Sequence, residues 1–279
     1  MAGIRQFCED RNIALIEDCA HAMFGEVDGR PVGAWGDFAI ASLTKFFPVT
    51  DGGCLVVNSK VAKPRRPERR SIPDEIRSMA NSIDLGAEYR RLFGMNAIIS
   101  GAFGVANSLR GRTVVRNRAE STDAFEAAMP HDWLNDFAAT AVASREASKW
   151  AQWVAGAVHR DRIVQARRRN YLILAKEIGN IAGVKVLMPQ LPEAAAPYVF
   201  PIWVDDPSAS YQALRKSGVP IFRWDNLWPD MPEIEHDRGR NWATHVFQLG
   251  CHQDLSVDDL ALMVDRLRRI LSNSSRSKA

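Results

Sequence analysis

Cysteine is scarce in this 279-residue chain. The four residues, Cys8, Cys19, Cys54 and Cys251, show no CxxC spacing and are too few for a disulfide framework, so a reducing cytoplasmic setting is expected. An excess of one charge is also missing. The chain carries 36 Lys and Arg against 33 Asp and Glu, a formal net charge of +3, which gives no reason to expect a nucleic-acid partner. Long hydrophobic runs are absent too. The most apolar stretch away from the strands, residues 95–106, is broken by Asn96, Ser100, Gly101 and Gly104 and is too short to span a bilayer. The first residues meet charge early and hold no apolar segment of the kind a secretory signal needs. No internal repeat is visible.

What is present is an ordinary globular composition, with 46% hydrophobic and 25% charged residues. At roughly 150 residues per domain, the length suggests about two domains. A helix is expected to end near Arg11, followed by a buried strand over residues 13–16, a turn at Asp28-Gly29, a loop bracketed by Gly33 and Gly36, and an apolar strand from Phe38 to Leu43. Asp51-Gly52-Gly53 marks a tight turn leading into a strand over residues 54–57. Residues 60–70 are basic and broken by proline, which reads as a solvated loop or, less economically, a site for acidic partners. Residues 72–129 look mainly helical, and a long helical pattern runs over 132–175.

Beyond it, residues 184–187, 198–204, 219–222 and 246–249 read as strands, and residues 208–216 as a helix closed by Gly218. Ser256 and Asp259 resemble a capping box that opens a final helix whose apolar stripe is Leu260, Met263, Val264, Leu267, Ile270 and Leu271. Alternating strands and helices make this end a compact α/β unit.

The chemistry concentrates in three short stretches: Glu17-Asp18-Cys19-Ala20-His21, then Gly29-Arg30-Pro31-Val32-Gly33, then Ser42-Leu43-Thr44-Lys45 through Gly52-Gly53. Taken singly, Asp18 reads as a helix cap, His21 as an ordinary satisfied histidine and Lys45 as a surface lysine. Asp18 with His21 could begin a metal site, but two ligands without a third nearby define none. Cys251-His252 with Asp254 could suggest a Cys-His nucleophile, although adjacent residues rarely face one another. Trp203, Trp224 and Trp228 read as core or interface.

Together, in this order, these stretches resemble the DegT/DnrJ/EryC1/StrS family of pyridoxal-phosphate aminotransferases. The pattern is a strand ending in EDxAH, a G-R-x-x-G loop, a serine shortly before a lysine, and a Gly-Gly turn after it. The resemblance continues more loosely through RRRNY at 167–171 and into the terminal helix. It implies an α/β fold: part of a type I, aspartate aminotransferase-like large domain over residues 1–130, then a linking helix and a small C-terminal α/β domain over 131–279. The cofactor implied is pyridoxal 5'-phosphate, and no metal is implied.

By the same resemblance, Lys45 is the catalytic lysine that forms the Schiff base and shuttles a proton, Asp18 keeps the cofactor ring nitrogen protonated, His21 lies beside the ring, and Ser42 donates to the phosphate. Ser42 stands three residues before the lysine, closer than in many members. A lysine at 45 also separates the chain from the dehydratase branch, which carries histidine there. The implied reaction moves an amino group from a donor such as glutamate to a nucleotide-linked keto sugar or similar carbonyl. A homodimer is implied as well.

Members of the family begin well before the EDxAH strand. The preceding part would carry a phosphate-anchoring helix N-terminus and a residue stacked on the ring, so a separately encoded N-terminal piece or a partner subunit is expected to complete the site. The alternative is a non-catalytic remnant or interaction protein that keeps the fold.

Overall fold

The computed structural model describes residues 1–59, 66–88, 145–223, 232 and 234–276. The chain divides into two compact units, one of Met1–Met23 with Arg30–Val158 and one of Phe24–Gly29 with His159–Ala279. The expected domain boundary after residue 130, most of the irregular helical region after residue 88, the early part of the long helix, and Trp224 and Trp228 lie outside the described residues.

The first unit begins with α1 (Ala2–Asp10) and builds a three-stranded sheet. Its strands are β1 (Ile16–Asp18), β2 (Phe38–Ser42) and β3 (Gly53–Val57), in the order β1-β2-β3. β1 runs parallel to β2, with Ile16 opposite Phe38 and Asp18 opposite Ile40. β3 runs antiparallel to β2, with Ile40 opposite Leu55 and Ser42 opposite Gly53.

The first strand starts at Ile16, three residues later than the apolar run 13–16 suggests. The reason lies in Asp37, whose carboxylate accepts the Leu15 amide at 2.8 Å, while the Leu15 carbonyl accepts the amides of Asp37 and Phe38. Pairing with β2 can begin only after that junction. Arg5 of α1 reaches the same carboxylate at 3.0 Å. The Leu15 amide first, and then Arg5, hold Asp37 below the usual carboxylate range.

Two further helices belong to this unit, α2 (Ile72–Glu88) and α3 (Lys149–Ala157). The N-terminus of α3 is capped by Ser148, whose Oγ accepts the Ala151 amide at 3.1 Å, the ordinary solution for an otherwise unpaired helix donor.

The second unit is a four-stranded antiparallel sheet with helices laid on it. Its elements are α4 (Arg160–Ile178), β4 (Val184–Val186), β5 (Val199–Val204), α5 (Pro207–Lys216), β6 (Ile221–Phe222), α6 (Gly239–His245), β7 (Val246–Gly250) and α7 (Val257–Arg276). The strand order is β4-β5-β7-β6. β5 alternates strictly, with Phe200, Ile202 and Val204 buried and the residues between them only partly so, as a strand with one core face must.

Phe247 and Leu249 of β7 join Tyr171, Leu174 and Ile178 of α4, Leu214 of α5, and Leu260, Met263, Val264, Leu267 and Leu271 of α7 in one core. Each such side chain taken fully out of water contributes roughly 1.5–3 kcal/mol. The capping box is as expected: Ser256 N–H donates to Asp259 Oδ2 at 2.8 Å, and the Asp259 amide donates to Ser256 Oγ at 3.1 Å. Among the described residues, no helix is long and apolar enough to cross a membrane.

Candidate functional site

The sheet of the first unit decides which side chains can meet. Successive residues of a strand point to opposite faces, and registered neighbours share a face. Asp18, Ile40, Ser42, Ile16 and Leu55 therefore stand on one face, and Glu17, Ala39 and Ala41 on the other. Asp18 and Ser42 lie at the C-terminal ends of two parallel strands, the position at which open α/β sheets bind ligands.

Past Ser42 the chain tightens into a short 3₁₀ turn, Leu43–Lys45. Leu43, Phe46, Phe47 and Val49 are all buried and fix the backbone on both sides of Lys45, which is half-buried. The turn is closed from below by the Leu43 amide donating to the Gly52 carbonyl at 3.0 Å. Gly52 has φ of +109°, and a Cβ there would come within 2.7 Å of Leu43 Cδ1, so only glycine suits this return of the chain.

His21 couples the two acidic and basic members of the group. Burial first, and then the positive charge of Lys45, lower its pKa below the ordinary 6.5, while Asp18 pulls in the opposite direction. The imidazole thus senses both the Lys45 ammonium and the Asp18 carboxylate, two groups 27 positions apart in the sequence. Replacing Lys45 by alanine removes a cause of the lowering. The expected result is an upward shift of the His21 titration midpoint, read by NMR in the absence of any ligand. An unchanged midpoint would mean that the two side chains are not neighbours.

The other two groups are placed by local bonds. Asp18 Oδ1 accepts the Ala20 amide at 2.9 Å, a local bond at the end of β1 just before His21. Ser42 Oγ lies 3.0 Å from Thr44 Oγ1, so the turn presents two hydroxyls rather than the one singled out by sequence. Lys45, His21, Asp18 and Ser42, the four residues expected from sequence, all belong to the first unit.

Two further carboxylates, Glu17 and Asp51, hold this arrangement. Glu17, on the buried face, accepts the amides of Gly33, Trp35 and Gly36 at 3.1, 2.5 and 2.6 Å. Asn58 Nδ2 donates to the carbonyls of Gly33 and Gly36 at 2.8 and 2.9 Å, so the loop before β2 is gripped through both kinds of backbone group. Gly36 is needed for close approach: a Cβ there would lie 2.5 Å from the Phe38 carbonyl oxygen and 2.8 Å from that of Leu15.

Asp51, next to the Gly-Gly turn, receives the Ser78 hydroxyl and, at 3.0 Å, the Ser148 amide, and pairs with Arg70 at 3.3 Å. Burial pushes its pKa up, but these bonds and the Arg70 charge outweigh that and hold it below its ordinary value. Asp51 thereby ties the segment after Lys45 to α2 and α3.

The Cys251-His252-Asp254 grouping is not a nucleophile. Cys251 is fully buried, its thiol is pushed up to about 12 by burial, and its Sγ faces the Pro197 carbonyl at 3.6 Å. Reactive thiols need the opposite conditions, a lowered pKa and access. Among the described residues, no three His, Cys, Asp or Glu side chains are grouped to hold a metal ion.

Comparison with known proteins agrees with the resemblance read from the sequence. Residues 1–79 match the model of the DegT/DnrJ/EryC1/StrS aminotransferase family. The chain is 32% identical over 94 residues to the UDP-4-amino-4,6-dideoxy-N-acetyl-beta-L-altrosamine transaminase of Campylobacter jejuni, a match covering 32% of this chain and 25% of that protein. It is 36% identical over 61 residues to the GDP-perosamine synthase of Vibrio cholerae, covering 21% of this chain and 17% of that one.

Among solved structures, the aminotransferase TlmJ from Streptoalloteichus hindustanus superposes with a TM-score of 0.55 at 18% identity, over 98% of this chain and 62% of its own. A DegT DnrJ EryC1 StrS aminotransferase from Brucella abortus gives 0.54 at 17% identity, over 96% and 60%. These likenesses establish the expected fold class. The chain spans about six tenths of the solved structures, and its matches cover a quarter or less of the curated relatives.

Proposed function

We propose that this chain, whose first 79 residues match the DegT/DnrJ/EryC1/StrS aminotransferases, carries the lysine side of a pyridoxal-phosphate site and takes part in transfer of an amino group to a sugar carbonyl. What supports the reading is the family match over residues 1–79 together with the strand register, which sets Asp18 and Ser42 at the ends of two parallel strands with Lys45 in the turn that follows; the charges of Lys45 and Asp18 are both among the causes acting on the His21 pKa. Pyridoxal 5'-phosphate offers an aldehyde, a basic ring nitrogen and a phosphate, for which Lys45, Asp18 and Ser42 would be the respective counterparts.

When bound, the cofactor supplies an electron sink for the carbon from which a proton is removed. Lys45 Nζ would hold the aldehyde carbon and then move the proton at the substrate carbon, a task suited to a half-buried amine in apolar surroundings. Asp18 would hold the proton on the ring nitrogen. His21 would lie against the ring, and Ser42 Oγ would donate to a phosphate oxygen, with Thr44 Oγ1 beside it. The amino donor is an amino acid such as glutamate and the acceptor a nucleotide-linked keto sugar or similar carbonyl. Support for the acceptor comes from the sugar transaminases among the relatives. The working form in this reading is a cytoplasmic homodimer.

A second reading, a protein that keeps the fold and binds partners without catalysing, draws on one observation. Ile16, Ile40 and Leu55, which share a face with Asp18 and Ser42, are 61%, 44% and 56% exposed, an uncovered apolar surface around the site. Titration of the full chain with pyridoxal phosphate separates the readings. A visible absorbance band that saturates, and that Lys45→Ala lacks, is expected from the first. No band above the variant is expected from the second.

A further inference from the structure

The basic stretch near residue 66, whose Arg70 also pairs with Asp51, lines a cavity of its own. This cavity, of about 400 Å³, is walled by Arg66, Arg69, Arg70 and Lys149, with Glu75 and Glu146 at its side and only one proline and one isoleucine as apolar lining. The volume falls within the range of small-molecule sites. Its lining carries four cations and two carboxylates, so that with Arg70 paired to Asp51 positive charge remains in excess; Glu75 Oε2 accepts the Lys149 amide at 2.9 Å.

Arg70 is the rigid member. Its Nη2 pairs with Asp51 at 3.3 Å and its Nε donates to the Glu146 carbonyl at 2.8 Å. Arg66 and Arg69, both exposed, leave their guanidinium forks accessible.

We propose that this cavity binds a phosphate-bearing anion. Guanidinium forks match phosphate oxygens in bidentate fashion, and a lysine adds a point charge. A metal ion or amine would meet like charge here, and the apolar part of the wall is Pro67, Ile72 and the stems of the basic side chains. Arg66 and Arg69 supply the forks, Lys149 the point charge, and Arg70 a third guanidinium held in place by Asp51. The phosphates belong either to a free polyphosphate or to a nucleotide. The two share one chemistry at this wall and differ in what lies beyond it.

The test is calorimetric titration of the full chain with inorganic pyrophosphate and, separately, with uridine diphosphate, each at ionic strength matched with sodium chloride. Saturable binding is expected, weakened by added salt and reduced about tenfold or more in Arg66→Ala/Arg69→Ala. Equal affinities mean recognition of the phosphates alone, and tighter uridine diphosphate means that the nucleoside adds contacts; either outcome supports the site. Lys45→Ala retains the binding if the cavity acts independently of the lysine site, so failure of the cofactor reading leaves this result standing. Absence of saturable binding, or equal affinity in the double variant with an unchanged circular dichroism spectrum, overturns the proposal.

Discussion

Glu17→Ala is expected to destabilise the first unit by about 3 kcal/mol or more, because three backbone amides lose a charged acceptor at once. The amides of Gly33, Trp35 and Gly36 all converge on this one carboxylate, and Glu17 and Trp35 are both buried, so water cannot readily replace it. Glu17→Gln is expected to rescue part of the loss: its carbonyl oxygen can still accept the Trp35 and Gly36 amides, which share Oε1, while its N–H₂ group opposes the Gly33 amide. Hydrogen exchange gives the specific reading: these three amides should lose protection in the variants before the rest of the unit does. If they exchange as in the wild type, the carboxylate does not hold the loop. Since Glu17 and Asp18 are consecutive on β1, loosening that loop also loosens the strand end on which Asp18 sits.

Arg167→Met should cost the second unit a comparable roughly 3 kcal/mol. Arg167 is 1% exposed, and its Nε donates to Gln253 Oε1 at 2.7 Å while Nη1 donates to the Tyr198 carbonyl at 3.1 Å. Burial lowers its pKa, and the neighbouring Cys251, Tyr198 and Asp254 oppose that shift. A methionine fills much of the volume but takes the guanidinium donor away from the Tyr198 carbonyl and from Gln253 Oε1. Arg167→Lys is expected to rescue only part of the loss, because one ammonium cannot reproduce a planar fork aimed at two elements. Denaturant unfolding of each variant measures this directly. A loss below about 1 kcal/mol for Arg167→Met would place the guanidinium among ordinary surface groups.

How much of this was legible in the sequence depends on the range of the interaction. The final helix was readable in detail because its signals are local: a Ser-x-x-Asp cap and a stripe repeating at helical spacing. Asp18, His21, Ser42 and Lys45 are visible in the sequence as an ordered pattern, and the roles given to them belong to the proposal. β1 was misplaced because three residues are too short for a period of two to declare itself, and because its start is set by Asp37, more than 20 positions away.

Glu17 and Asp18 are adjacent acids, and alternation along a strand sends the two to opposite faces, but which face is buried is set by the fold. Asp51 gave no such hint: its partners Arg70, Ser78 and Ser148 are assembled only by the fold. Arg167 lay in an apparent charge cluster, where a fully buried cation is the exception.

The central claim is that Lys45 sits in a pyridoxal-phosphate site formed with Asp18 and His21. The most direct measurement is to mix the full chain with pyridoxal phosphate, reduce with borohydride, digest, and locate the added mass by peptide sequencing. A single major label on Lys45 is expected, diminished in Asp18→Ala and absent in Lys45→Ala. Label spread evenly over exposed lysines, or none at position 45, would contradict it.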